Sequence, residues 1–346
     1  MSVASVSSTS TTTDTNGSQS SSSTKKTAAV SNGHCGNNNS SNAKHYNKGH
    51  NAVVVVTPAD THGGVQRQLP LIISFMTLLA ALYGGFYYAF SASNTIWGLV
   101  PAAQFCNNND NNNDDDDNDT TTCRRPDLFA FQLASAVPMY TMALQGVYAW
   151  YVSQRPHRLL PATPQGRLWA YLPEAEQLAA VAFSYQVFDL IVSWSFPEHC
   201  TPLMMMHHTL AATVAYCSMR YQVLHYYGFF FLGLSEVSTV FLVWMDLATF
   251  FPPTTPDSLF ATFIQACGPG FVVTFIWYRV LQWWPMSIQL FRDVYHVVST
   301  GVLSKLRPGQ AWVLYIFLAA NLPLGLLQLY WLTIIFGEVQ KTLAGE

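Results

Sequence analysis

Apolar and polar positions divide the chain near residue 67. Residues 1–66 are almost entirely Ser, Thr, Asn, Gly, Lys and His. The apolar run at Val53–Val56 is too short for the core of a signal peptide, and none follows the lysines at Lys25 and Lys26. From Leu69 onward long apolar runs dominate. A helix needs about 20 apolar residues to cross a bilayer, and seven segments approach that length: Leu71–Ser91, Leu128–Val152, Gln177–Phe196, Leu203–Met219, Tyr226–Leu247, Leu259–Trp283 and Trp312–Phe336. The fourth is the shortest. The pattern predicts an all-α fold, a polytopic transmembrane helical bundle of about seven spans. Gly268-Pro269-Gly270 is expected to break or kink the sixth span, and Pro138 and Pro323 to bend the second and seventh.

The same pattern divides the chain into regions. Residues 1–66 read as a disordered polar tail, because nothing in them offsets the entropy of ordering. Residues 67–127 hold the first span and an Asn/Asp-rich loop. Residues 128–340 form the multi-span domain, and 341–346 a short tail. Composition sharpens the picture: half of the residues are hydrophobic and only 10% are charged, against about 25% in a typical soluble domain. A formal charge of −3 argues against a nucleic-acid partner. It leaves membrane lipids as the expected one.

Seven spans with a cytosolic N-terminus place most of the 16 basic residues on the cytosolic side, including Arg67, Arg155, Arg167, Arg220, Arg279 and Arg307. Arg124, Arg125 and Lys341 remain on the other side, as the positive-inside rule favours. Cys106 and Cys123, which flank the Asn/Asp run, then share an oxidising side where they can pair. Asn118-Asp119-Thr120 is a glycosylation sequon there. No cysteine or histidine spacing indicates a metal site, His34, His45, His50 and His62 of the tail included.

Ionisable side chains within spans are expensive, and by default they mark a functional or pairing role in the bundle interior. The fourth span carries His207 and His208 beside a stripe of small residues at Ala211, Ala212 and Ala215. The third carries Tyr185, Asp189 and Ser193 on one face, and the fifth Glu236, Thr239 and Asp246 on one face. Asn321 and Gln328 add polar groups to the seventh. His207, His208, Asp189 and Glu236 are therefore the candidate site, an acid/base or lipid-polar-group cluster forming the floor of an intramembrane cavity. The alternative role for such residues is to hold helices together.

Three stretches, "FDLIVSW", "MMMHHTLAATVAYCSMRY" and "GLSEVSTVFLVWMDL", resemble the TLC-domain family, which includes ceramide synthases and TRAM proteins. The resemblance covers about residues 170–340. His207-His208 is its most specific part, and Glu236-Val237-Ser238-Thr239 is closest to the smaller TLC-domain proteins. It implies residence in the endoplasmic reticulum and a role in membrane lipid homeostasis, by binding, sensing or moving lipid. The alternative it implies is a ceramide-synthase-like N-acyltransferase that takes acyl-CoA as co-substrate, with His207 or His208 as general base. That family's downstream His-Asp pair is replaced here by Ser235-Glu236, which favours the first reading. No cofactor is expected beyond that co-substrate.

Overall fold

The computed structural model describes residues 64–92, 101–102 and 125–344. The polar tail through residue 63, Cys106, Cys123, Asn118 and the expectations placed on them lie outside the described residues.

Every regular element among the described residues is helical. Helix α1 is Gly64–Ala92, and α2, Pro126–Val147, continues through a π-helical turn at Tyr148–Val152. Short helices α3 (Arg155–Leu159) and α4 (Pro164–Trp169) lead to α5 (Pro173–Ser193) and α6 (Pro202–Tyr221). Next come α7 (His225–Gly228), a π turn Phe229–Gly233, a 3-10 turn Leu234–Val237 and α8 (Thr239–Phe250), one after another as an interrupted helix. Helix α9 (Leu259–Thr274), a π stretch Phe275–Gln282 and α10 (Trp283–Ser299) repeat that design. Helices α11 (Val302–Leu306) and α12 (Ala311–Ala344) complete the order.

Local sequence explains several helix starts. Proline occupies the first turn of α2, α4, α5 and α6, where its missing N–H costs nothing. The hydroxyls of Thr163, Thr201 and Ser258 accept from the third backbone N–H beyond them. At its C-terminus α6 stops on Gln222 in a left-handed conformation (φ 49°). There Arg307, buried where the sequence predicted a cytosolic charge, donates to the carbonyl of Tyr221 at 2.6 Å. A cation satisfies the exposed carbonyls and dipole of a helix C-terminus.

Among the described residues, four helical stretches are long and apolar enough to cross a membrane: Gly64–Ala92, His225–Phe250, Leu259–Ser299 and Ala311–Lys341. The other three predicted segments correspond to α2, α5 and α6, which carry buried polar side chains such as Gln132, Asp189 and His208. At about 1.5 Å per residue, Leu259–Ser299 would run about 60 Å, twice the roughly 30 Å of hydrocarbon. It is therefore longer than a single crossing requires.

The Gly-Pro-Gly sequence does not break its helix. Helix α9 runs through Pro269, and α2 and α12 run through Pro138 and Pro323. Membrane helices tolerate proline where neighbouring groups compensate for the lost backbone bond. The glycine at 270 has a packing reason instead: a Cβ there would stand 2.8 Å from the Phe241 ring of α8. The irregular backbone falls just beyond, in Phe275–Gln282.

Helix α5 lies at the centre, against α1, α2 and α6. Leu178, Ala179, Ala180 and Ala182 are buried there with Ala215 of α6, so Ala215 of the small-residue stripe packs against α5. Glu176, fully buried in α5, accepts from Arg67 and Gln68 of α1. On the opposite side of the predicted membrane, Arg125 holds both Asp127 and Glu198. Burial alone would push the Glu198 carboxyl up, but the hydrogen bond from Arg125 brings it below the usual carboxylate range.

Where α2 crosses the turn before α8, two backbones touch. A Cβ on Gly146 would lie 2.6 Å from the carbonyl carbon of Gly233, and neither chain can yield without moving a helix. Gly146→Val is expected to lower the thermal unfolding temperature in detergent, by the 1–3 kcal/mol or more typical of overpacking. An unchanged melting curve would show that this crossing is loose.

Candidate functional site

The predicted cluster is divided in two. On α5, Tyr185 donates from its hydroxyl to Asp189 at 2.9 Å, and Ser193 donates to the other carboxylate oxygen at 2.8 Å. The i, i+4, i+8 spacing that suggested a shared face is realised as a hydrogen-bonded ladder. From α6, His208 joins it: Nε2 stands 3.3 Å from Asp189 Oδ1, and Nδ1 is 2.6 Å from Gln186 Oε1. Which ring nitrogen donates depends on the tautomer and on how the Gln186 amide is turned. In either state both nitrogens of His208 are occupied.

Glu236 does not join that ladder. Its Oε2 accepts from Thr239 Oγ1 at 2.7 Å and from Arg279 Nη2 at 3.2 Å. Arg279 is buried in the π stretch before α10 rather than at the cytosolic surface where the charge count placed it. The physical reason is pairing: two opposite charges within the bundle, with hydrogen bonds to the remaining donors, are far less costly than one. Arg279 Nε also donates to the Ser235 carbonyl at 2.8 Å and to Ser238 Oγ at 2.9 Å. A signal for this pair was present in the sequence, an arginine in one apolar run and a glutamate in another. Gln186 gave no such signal.

His207 lies between the two groups. Its ring is 5.1 Å from that of His208 and 5.4 Å from that of Trp331 on α12. Its Nδ1 is buried without a hydrogen-bond partner among the described residues.

An internal cavity of about 60 Å³ runs between the helices. His207, Ala211, Val214 and Ser218 line it from α6, and Phe317, Asn321, Leu324 and Gln328 from α12. Both sets follow the i, i+4, i+7, i+11 spacing of a single helix face. The helices are antiparallel, since His207 meets Trp331 and Tyr221 meets Trp312. From His207 to Ser218, at about 1.5 Å per residue, the cavity extends about 16 Å. That is about one leaflet of a hydrocarbon core roughly 30 Å thick. One end gathers His207, Glu236, Arg279 and Gln328; the other is closed by Leu224, Tyr227, Leu290 and Phe317. Asp189, His208 and Asp246 are not in its lining. Of the four predicted site residues, His207 and Glu236 face the cavity, while His208 and Asp189 form the separate ladder.

At the apolar end, the Tyr227 hydroxyl donates to Asp293 at 2.6 Å, and Arg167 grips the same carboxylate with two bonds of 2.6 Å. On the outer side of α6 and α12, Leu203, Met206, Pro323 and Tyr330 border an open groove of about 460 Å³. Among the described residues no group of three His, Cys, Asp or Glu side chains is placed to hold a metal ion.

A helical bundle with apolar membrane-length helices and a slender, mostly apolar interior cavity defines an integral membrane protein related to lipid. The TLC domain model matches residues 129–337, and the chain belongs to the TLC-domain family. No curated protein and no solved structure matches it.

Proposed function

We propose that the protein acts in membrane lipid homeostasis by holding a lipid acyl chain in the cavity between α6 and α12. One observation carries this reading. The cavity is a mostly apolar shaft about one leaflet long, interrupted by Asn321 and Ser218, and one end gathers charged side chains that the bundle could bury only at a cost. A purely structural polar cluster has no need of empty apolar length beside it. The outer groove along α6 and α12 gives hydrocarbon from the bilayer a place to approach. The membrane is the endoplasmic reticulum by family resemblance, with the N-terminus cytosolic by the distribution of basic residues.

The acyl-transfer alternative draws on the contact between His208 and Asp189, a histidine beside a carboxylate. It is the weaker reading, because both nitrogens of His208 are engaged and His207, which faces the cavity, has no carboxylate among its described partners. Lipidomic comparison of cells lacking the protein with cells restored to it separates the two. Altered phospholipid composition with unchanged ceramide chain lengths supports lipid binding. A change confined to ceramides would replace it with acyl transfer.

The orientation has its own test. Asn118 is expected to be glycosylated and the sequon at Asn16-Gly17-Ser18 to stay bare. An endoglycosidase-sensitive mobility shift should vanish with Asn118→Gln. A shift that instead depends on Asn16 would invert the topology.

A further inference from the structure

The cavity's polar end is balanced in charge and incomplete in hydrogen bonding. Glu236 and Arg279 carry opposite charges 3.2 Å apart. The remaining polar liners apart from His207, among them Gln186, Asn321 and Gln328, have no formal charge. Two hydrogen-bonding positions are left open. A guanidinium carries five N–H donors. Arg279 Nε is taken by Ser235 and Ser238, and Nη2 by Thr239 and Glu236. Nη1 has a single long contact, 3.4 Å to Gln328 Oε1. On the other member of the pair, Oε2 is doubly bonded, whereas Oε1 receives only Ser235 Oγ at 3.4 Å. The site thus offers one strong donor and one strong acceptor side by side, with no net charge.

We propose that this end of the cavity binds the head of a single-chain, uncharged acyl lipid: Arg279 Nη1 donates to its carbonyl oxygen, and Glu236 Oε1 accepts from a hydroxyl or amide N–H. Long-chain monoacylglycerols and fatty amides have this chemistry. A fatty acid carboxylate does not. It would add a second negative charge beside Glu236 in a largely buried site, where screening is weak. A phosphate-bearing head meets the same charge. This assignment rests on the lipid-binding reading above and narrows it to a ligand class.

The test uses full-length protein in detergent, with radiolabelled monoolein and radiolabelled oleate as probes. The wild type is expected to bind monoolein at least about tenfold more tightly than oleate, a modest equivalent of placing like charges together in a dry site. Glu236→Gln keeps the shape but leaves Arg279 without its counter-charge, so the preference should shift toward oleate by about tenfold or more. Equal binding of the two lipids by the wild type would overturn the assignment, and so would an unchanged ratio in a folded Glu236→Gln protein. If that variant does not fold, the wild-type ratio decides alone. A headless photoreactive alkane reports on the underlying reading separately. If it fails to label the cavity faces of α6 and α12, both proposals fall. Labelling combined with equal monoolein and oleate binding removes only the headgroup assignment.

Discussion

Arg279→Leu is expected to destabilise the protein more than any other single change in the bundle, by about 3–5 kcal/mol, the usual cost of orphaning a buried charge. The substitution leaves Glu236 inside the bundle with two hydroxyl neighbours, Thr239 and Ser235, and no cation. It also takes the shorter of two hydrogen bonds from the Ser235 carbonyl, which keeps the 3.3 Å bond from Ser238 Oγ. Adding Glu236→Leu to the same protein should recover much of the loss, because two well-packed apolar side chains of similar volume often replace a buried pair at little net cost. Thermal unfolding of the purified variants in detergent is the measurement. If the double variant is no more stable than Arg279→Leu alone, the two charges do not act as a pair. Partial recovery with lost lipid binding would separate the stabilising role of the pair from its role in the site.

The two histidines, adjacent in sequence, should lose function by different routes when replaced. His208→Ala removes a ring that bridges Gln186 and Asp189, and so leaves buried polar atoms of α5 with fewer partners. Its effect falls on stability, about 1–3 kcal/mol for unsatisfied buried groups. Protein abundance and lipid phenotype should decline together. His207→Ala removes no side-chain hydrogen bond among the described residues and lies against the cavity. Abundance should stay near wild type while the lipid phenotype is lost. Parallel immunoblots and lipidomes of cells restored with each variant distinguish the cases. A His207→Ala protein with normal abundance and a normal lipidome would remove His207 from the site.

The architecture was legible because burial in a bilayer leaves a coarse signature. Each of the seven apolar segments is helical over nearly all of its length. The ladder of Tyr185, Asp189 and Ser193 was legible too, because i, i+4 spacing fixes which side chains meet on one helix. Contacts between helices were not. Asp189 and Glu236 were expected to share a floor with both histidines, yet each is partnered locally, one by hydroxyls and His208, the other by Arg279. Nothing in spacing along the chain reveals which helix supplies a counter-charge. Arg279 was assigned to the surface because a tally of charges by loop treats every arginine near the end of a span as exposed. Gly146 and Gly233 were silent for a related reason: a glycine reports a close approach only once the opposing backbone is known.

The π-helical stretch at Phe275–Gln282 has a consequence for how this chain can vary. A wider turn holds one residue more than an α-helical turn, so it resets the angular phase of everything after it. Straightening this stretch into an ordinary α-helix at constant length would turn α10 by about 100° relative to α9, one residue's worth of rotation, and carry the side chains beyond it away from their present partners. Deleting one residue between Phe275 and Gln282 at the same time would restore the heading, because an α-helix covers the same arc with one residue fewer. A one-residue gap is thus absorbed here, whereas within a regular helix such as α5 it would rotate everything beyond it by about 100°. Related chains that lack one residue in this stretch are accordingly expected to be α-helical there and to keep the facing of α10.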